Sequence, residues 1–271
     1  MRSLSLGPIQ ERRIESDLGA WTHSECRPPK LAGMVDLLWH FQGRMTLLRE
    51  RHFPSGLLGL IVHLGPRYRE VEPLPNDTYP LVSIGGLQTS SFLIEAPPGE
   101  CCVLGVELHP AGARALLRIP LSEITGATVD LEDLVGSEAR ELADRCAQPP
   151  RVRERFRIVV DWIAARALRD ASLDPAVTWM AERLARSHGA VPITALQARI
   201  GYSRARLANA FRDQVGLTPK RYARVLRFRR ALTLLTEARL PFSTLALTAG
   251  YYDQPHMNAE FKEFSGFTPG E

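Results

Sequence analysis

The last third of the chain contains one pattern twice, about fifty residues apart. The first copy ends in Gly216-Leu217-Thr218-Pro219 and the second in Gly266-Phe267-Thr268-Pro269. Upstream of each ending, an apolar residue precedes a phenylalanine by four positions, which is the spacing of one helical face. The repeat therefore predicts one small helical unit that is built twice.

Each copy is expected to fold into two short helices separated by a turn. Thr194 and Ser203 are placed to cap the helices of the first copy, with a left-handed turn at Gly201, and Ser243 and Asp253 are the corresponding caps of the second copy. The residues predicted to face inward are apolar and recur at helical spacing: Leu196, Ile200, Leu207 and Phe211 in the first copy, and Leu245, Ala249, Met257 and Phe261 in the second. This arrangement is a helix-turn-helix.

Thr218-Pro219 predicts the start of a long helix, because proline is favoured at the first helical position. A helix of about 17 residues spans about 25 Å. It would join two units whose second helices are of the kind that enters the DNA major groove. Two such helices on one face could reach successive groove segments, which lie about 34 Å apart.

The charge distribution distinguishes this prediction from an ordinary helical packing module. Residues 199–230 contain ten Lys or Arg against one acid, Asp213. Residues 172–271 carry a net charge of +6, whereas residues 1–171 carry −2. A concentration of cations in one half favours contact with phosphates.

The motifs just described resemble those of the AraC/XylS family of bacterial transcription regulators: Gly201-Tyr202-Ser203, Gly216-Leu217-Thr218-Pro219, Gly250-Tyr251, Asp253-Gln254 and Gly266-Phe267-Thr268-Pro269. The resemblance covers about the last hundred residues. It implies an α+β chain in which a β-rich, cupin-like barrel with flanking helices precedes an all-α domain with two helix-turn-helix units. We expect residues 1–170 to form the sensor or dimerisation domain and residues 171–271 the DNA-binding domain.

The resemblance also implies a set of DNA contacts on the second helix of each unit. In the first unit Ala205, Ala208 and Asn209 would read bases, and Ser203, Arg204, Arg206 and Arg212 would contact the backbone. In the second unit the matching positions are Gln254, Pro255 and Asn258, with Lys262 as the cation. Asp253, Glu260 and Glu263 predict a weaker pull on phosphate in the second unit.

The first half of the chain has the alternating runs of a small β-barrel or sandwich. Residues 1–30 are expected to be irregular and residues 31–41 a short helix or strand. The remaining strand-like runs are 57–64, 81–84, 91–95 and 101–108, and helices are predicted at 110–117, 131–134, 138–146 and 151–168. Residues 170–175 are the expected linker, and Asp174-Pro175 is expected to start the next helix.

We expect a DNA-binding regulator that a small-molecule effector controls through the N-terminal domain. The implied partners are double-stranded DNA, the effector, RNA polymerase and a second copy of the chain. Dimerisation is predicted because the helical run 138–168 carries more apolar surface than a barrel of this size needs. The absence of an 18-residue apolar run and of a signal-peptide pattern indicates a cytosolic, membrane-free protein.

Two other classes of function stay open. A cupin-type enzyme tethered to DNA would need clustered metal ligands, but the seven histidines are scattered at 23, 40, 52, 63, 109, 188 and 256. A redox or alkylation sensor would use a reactive thiol, but Cys26, Cys101, Cys102 and Cys146 form no CxxC pair. We therefore predict no metal, no cofactor and no catalytic residue.

Overall fold

The computed structural model describes residues 5–73, 75–76, 78–167 and 173–271. The strands are β1 (Ile9–Ser16), β2 (Gly19–Cys26), β3 (Val35–Met45), β4 (Arg49–His52), β5 (Leu58–His63), β6 (Arg69–Glu72), β7 (Val82–Gly85), β8 (Phe92–Glu95), β9 (Cys101–Leu108) and β10 (Thr128–Asp130). The helices are α1 (Pro110–Leu117), α2 (Leu131–Val135), α3 (Glu138–Ala147), α4 (Val152–Ala167), α5 (Pro175–Arg186), α6 (Ile193–Ile200), α7 (Arg204–Val215), α8 (Pro219–Glu237), α9 (Phe242–Thr248) and α10 (Gln254–Ser265). The predicted α+β class, with a β-rich first half and a helical second half, is confirmed.

The strands form two antiparallel sheets. The larger sheet has the order β1-β2-β3-β9-β5-β7-β10, and the smaller one has the order β4-β8-β6. One face of the large sheet contributes Leu38, Leu60 and Leu104 to a core that includes Leu142 of α3 and Phe156 of α4. A second, smaller core lies between the sheets, and it includes Tyr68, Tyr79, Val103 and Ile94.

The prediction that residues 1–30 are irregular is wrong, because β1 and β2 form a hairpin there. Its turn lies between Ser16 and Gly19, and the φ of Gly19 is +124°. β1 is an edge strand on which most residues are exposed. Its sequence therefore lacks the alternation of apolar and polar residues that marks a strand with one buried face.

Helices α1 to α4 lie close to the predicted positions, and α1 has the predicted bounds. The argument for dimerisation from surplus apolar surface is wrong, because the apolar face of α4 is covered within the chain. Its buried residues are Phe156, Val159, Val160, Trp162, Ile163 and Ala164. Among the described residues, no helix is both long enough and apolar enough to cross a bilayer.

The expected linker, residues 170–175, lies partly outside the described residues. The expected domain boundary between residues 170 and 171 lies wholly outside them. The predicted start of the next helix is confirmed, because the Asp174 carboxylate caps α5 by accepting a hydrogen bond from the Ala176 N–H at 2.8 Å. The Tyr202 hydroxyl donates to Asp174 Oδ2 at 3.1 Å. The cap of α5 is thereby tied to the turn between α6 and α7.

The two halves of the chain pack directly on each other. Leu121 and Ile124 share one continuous core with Phe211 and Val215 of α7. The Thr125 hydroxyl donates to the carbonyl oxygen of Gly216, which ends α7, at 2.8 Å. The recognition helix of each unit is its second helix, α7 or α10. The N-terminal half also contacts α10, since the Ser91 hydroxyl donates to the Ser265 carbonyl oxygen at the end of this helix, at 2.9 Å.

Candidate DNA-binding surface and N-terminal cavity

The first unit is the predicted helix-turn-helix, formed by α6 and α7. Gly201 adopts a φ of +75° and ends α6. The Ser203 hydroxyl caps α7 by accepting from the Arg206 N–H at 3.2 Å. The prediction that Thr194 caps α6 is wrong, because that helix begins at Ile193 after Pro192 and has no side-chain cap.

The outer face of α7 carries the residues predicted to contact DNA. Arg204, Ala205, Arg206, Asn209 and Arg212 are exposed. Ala208 is partly buried, and Ser203 occupies the N-cap. Leu207 and Phe211 face inward and are buried, as predicted. Helical periodicity thus places this set of side chains on one accessible surface.

The second unit, α9 and α10, repeats the plan. Gly250 has a φ of +90°, and the Asp253 carboxylate caps α10 by accepting from the His256 N–H at 2.8 Å. Ser243 is not a cap, because α9 begins at Phe242 after Pro241. The predicted contact residues lie on α10: Pro255 and Lys262 are exposed, and Gln254 and Asn258 are partly buried.

The charge of α8 is directed largely inward, which the sequence did not predict. Arg224 Nε lies 2.6 Å from Glu260 Oε1, and Arg221 Nη1 lies 2.7 Å from Glu263 Oε1. Arg227 Nη2 lies 3.6 Å from the same Glu260 oxygen. Three of the ten cations assigned to phosphate by sequence therefore bind α10 to α8.

The two glutamates of α10 are consequently engaged by the arginines of α8, although Glu263 stays exposed. Glu260 is buried, and the hydrogen bond from Arg224 lowers the pKa of Glu263. A signal was present in the sequence, since the three arginines of α8 recur every three residues and the two glutamates of α10 are three residues apart. That spacing marks one face of each helix but does not say which faces meet.

Several cations of the first unit and the start of α8 form no ion pair with a described residue. They include Arg204, Arg206, Arg212 and Lys220. The Arg206 guanidinium lies 3.9 Å from the centroid of the Tyr202 ring, which holds this cation near the start of α7. The first recognition helix therefore carries exposed positive charge that no ion pair with a described residue neutralises.

The N-terminal half contains a cavity of about 590 Å³ between the two sheets. Its lining was not predicted from the sequence. Strands β2, β3, β5, β7 and β9 contribute from the large sheet, and β4 and β8 contribute from the small one. The aromatic residues that line it are Trp21, Trp39, Phe41, Phe53, Tyr68, Tyr79 and Phe92.

The wall of the cavity reaches the helix that joins the two units. Phe53 and Ser55 line the cavity and lie just after β4. The Phe53 ring lies 6.3 Å from that of Phe228 on α8, and the Ser55 carbonyl oxygen accepts a hydrogen bond from Arg229 Nη1 at 3.1 Å. Gln88 also lines the cavity, and the next residue's carbonyl oxygen accepts from Arg221 Nη2 at 3.5 Å.

The cysteine that comes nearest to a reactive arrangement is Cys102. Its Sγ lies 3.4 Å from His40 Nε2 and 3.3 Å from Arg155 Nη1. Burial nevertheless raises the pKa of the Cys102 thiol, although Arg155 acts in the opposite direction. The described residues contain no group of three or more His, Cys, Asp or Glu arranged to hold a metal ion.

Comparisons with known proteins cover both halves of the chain. A family model described as a helix-turn-helix domain matches residues 196–271, and one described as a domain of unknown function, DUF6597, matches residues 25–130. The arabinose operon regulatory protein of Salmonella typhimurium is 28% identical over 102 residues, which are 38% of this chain and 36% of that regulator. The chain thus spans about a third of the length of this curated relative.

Among solved structures, ToxT from Vibrio cholerae matches 86% of this chain and 95% of its own, with 11% identity and a TM-score of 0.47. The C-terminal domain of AraT from Geobacillus stearothermophilus matches 37% of this chain and 84% of its own, with 20% identity and a TM-score of 0.35.

Two capped helix-turn-helix units on one joining helix define a DNA-binding protein. Together with the matches to the helix-turn-helix model and to the arabinose regulator, they identify the C-terminal helices as an AraC-type domain. Over these residues the chain is similar to the AraC family of transcription regulators.

Proposed function

We propose that the protein binds double-stranded DNA at two successive major-groove segments and that a small molecule in the N-terminal cavity controls this binding. The proposal rests on the location of Phe53 and Ser55 between the cavity and the C-terminal helices. Both line the cavity, and both contact α8, the helix between the two DNA-binding units. A ligand that displaces this wall would therefore act directly on the spacing of the two recognition helices.

The DNA contacts are assigned from the exposed face of each recognition helix. Ala205, Ala208 and Asn209, together with Gln254, Pro255 and Asn258, face bases. Ser203, Arg204, Arg206, Arg212 and Lys262 contact the phosphate backbone. The joining helix has 19 residues, or about 28 Å, which suits units that occupy groove segments about 34 Å apart.

Residues 1–170 act as the sensor and residues 171–271 as the DNA-binding domain. Contacts at Gly216 and Ser265 support direct communication, because each lies at the C-terminal end of a recognition helix. A shift of the sensor would therefore change how α7 and α10 are held.

The DNA part of the proposal is tested by selecting bound fragments from a random duplex library with the full-length protein. We expect one motif with two half-motifs about one helical turn apart. A selected motif of a single half-site, or no enrichment at all, would contradict the proposal.

The regulatory part is tested by filling the cavity with a side chain. A Cβ added to Gly59 or to Gly33 would meet no atom within 4 Å, but only Gly59 lines the cavity. We expect Gly59→Leu to change affinity for the selected DNA by about three-fold or more, because the added side chain presses on the wall, whereas Gly33→Leu leaves it unchanged. If the two variants bind like the natural protein, the cavity does not control DNA binding.

RNA polymerase and a second copy of the chain stay predicted partners. Sedimentation of the full-length protein at micromolar concentration tests whether the chain dimerises. It is carried out with and without a duplex that carries two copies of the selected site. A dimer would prefer paired sites at fixed spacing, whereas a monomer would bind both sites independently.

A further inference from the structure

One face of the large sheet forms the floor of the cavity. The register places Glu107 of β9 beside Leu37 of β3 and Gly59 of β5, and Gly59 lies beside Gly85 of β7. A Cβ added to Gly59 would meet no atom within 4 Å. Because the next two positions in this row lack side chains, the carboxyl group of Glu107 borders open space.

Apart from its histidines, the charged residues that line the cavity are all acidic. Among the described residues, the cavity is lined by Glu25, Glu50 and Glu107 and by no lysine or arginine, although Lys and Arg outnumber Asp and Glu in the chain by 34 to 30. Glu25 lies 3.6 Å from His23 Nδ1, and Glu50 lies 3.7 Å from His52 Nε2. No described residue forms a hydrogen bond or an ion pair with the carboxyl group of Glu107.

Nearby arginines do not supply a partner for Glu107. Arg229 and Arg27 act on it only at a distance, since Arg229 donates to the Ser55 carbonyl oxygen and Arg27 to Asp36. Burial raises the pKa of Glu107, and Asp36 and Glu25 act in the same direction. The cavity thus holds one carboxyl group, that of Glu107, with no cationic partner among the described residues.

The remaining walls are mainly aromatic and apolar. The face of an aromatic ring carries partial negative charge and attracts a cation placed over it, most strongly for tryptophan. Trp21 and Trp39 lie on the same face of the large sheet as Glu25 and Glu107. The cavity volume falls within the range of about 300–1,000 Å³ that suits drug-sized ligands.

We propose that the cavity binds an organic cation, an amine or quaternary ammonium group on an apolar body. The cationic group lies beside Glu107 over the open floor at Gly59, and the apolar body packs among the aromatic side chains. This inference rests on the proposed function, which makes the cavity the ligand site, and it adds the class of ligand.

The test compares three probes of similar shape on the full-length protein: benzyltrimethylammonium, its neutral carbon analogue neopentylbenzene, and the anion phenylacetate. Binding is followed by calorimetry and by tryptophan fluorescence, to which Trp21 and Trp39 in the cavity wall contribute. We expect the cation to bind about ten-fold more tightly than either of the others. Tighter binding of phenylacetate, equal binding of the three, or no binding of the cation would overturn the proposal.

Variants test the role of Glu107. Glu107→Gln keeps the shape and removes the charge, so it should weaken binding of the cation by about ten-fold and leave neopentylbenzene unchanged. Glu15→Gln, on the exposed edge strand β1, is the matched control. An unchanged cation affinity in Glu107→Gln would contradict the assignment, and the probe comparison on the natural protein stands even if this variant fails to fold.

Measuring DNA affinity in the presence of each probe separates the two proposals. If the neutral or anionic probe binds and changes DNA affinity, regulation through the cavity stands and the cationic class fails. If the cation binds selectively and DNA affinity stays the same, the class stands and the proposed regulation fails.

Discussion

Asn209 is the side chain on the exposed face of α7 that is best suited to read a base. Its amide both donates and accepts, which matches the N6 and N7 edge of adenine. We expect the motif selected by the natural protein to contain one A-dependent step that Asn209→Ala loses, with about 1 to 3 kcal/mol of discrimination. Selection in parallel with both proteins measures this, and an identical motif from the variant would contradict the assignment.

Arg204 provides the matched control for that measurement. It is exposed on the same helix and is assigned to phosphate rather than to a base. Arg204→Ala should weaken binding to all sequences alike and reduce the salt dependence by about one counterion, without a change of motif.

His63 should make stability depend on pH. It is buried, and burial lowers the pKa of this imidazole to about 4, although its bond to the Pro80 carbonyl oxygen acts in the opposite direction. Because the unfolded chain takes up the proton near pH 6.5 and the folded chain does not, stability is fully present above pH 6.5 and falls as the pH drops towards 4. Burial has the same effect on His40, whose pKa is also lowered to about 4.

Urea unfolding at several pH values measures this effect. Each such histidine contributes a slope of about 1.4 kcal/mol per pH unit in that window. His63→Gln should lower stability at pH 7 but flatten the decline below pH 6.5. His52→Gln, at an exposed position, is the control and should leave the slope unchanged.

Residue roles were predictable where they depend on one helix and not where they depend on distant strands. The exposed face of α7 follows from the spacing of Leu207 and Phe211. The cavity joins Glu25, Glu50 and Glu107, which are separated along the chain and meet only through sheet register and the packing of the two sheets. No local pattern marks such a set.

At the scale of elements, the two recognition helices should contribute unequally. Glu260 and Glu263 of α10 form ion pairs with arginines of α8. The one lysine or arginine of α10 is Lys262. We expect Arg204→Ala with Arg206→Ala to weaken DNA binding more than Gln254→Ala with Asn258→Ala. Affinity titrations at two salt concentrations decide the order, and only the arginine pair should change the salt slope.

Helix starts were predicted well where a polar cap precedes a proline or an apolar face. Asp174, Ser203, Thr218 and Asp253 all accept the expected backbone hydrogen bond. Thr194 and Ser243 were misplaced because a proline lies two residues before each and the helix starts earlier, directly after that proline. The ion pairs between α8 and α10 needed tertiary packing that the sequence alone does not specify.

For the whole molecule, two glycines provide a matched test of how firmly the halves are joined. Gly216 and Gly266 end the two recognition helices with φ values of +95° and +85°. An alanine at either position is strained by about 1–3 kcal/mol. A Cβ at Gly216 would also come within 2.9 Å of Thr125 Oγ1, whereas at Gly266 it meets nothing within 4 Å.

Gly216→Ala should therefore lower the free energy of unfolding more than Gly266→Ala does. Urea denaturation of the two full-length variants measures the difference. Equal losses would indicate that the surroundings of Thr125 accommodate the added Cβ at no further cost in stability.

The core that runs from the sheet through Leu121 to Phe211 also limits how a regulator of this kind can diversify. A sensor half transplanted onto other helices would have to rebuild the contacts that Thr125, Phe53 and Ser55 make with α7 and α8. A new ligand preference is reached more directly by single replacements on the cavity floor, such as those at Gly59 or Glu107. An exchange of whole domains therefore disturbs more contacts between the two halves than a stepwise change of the residues that line the cavity.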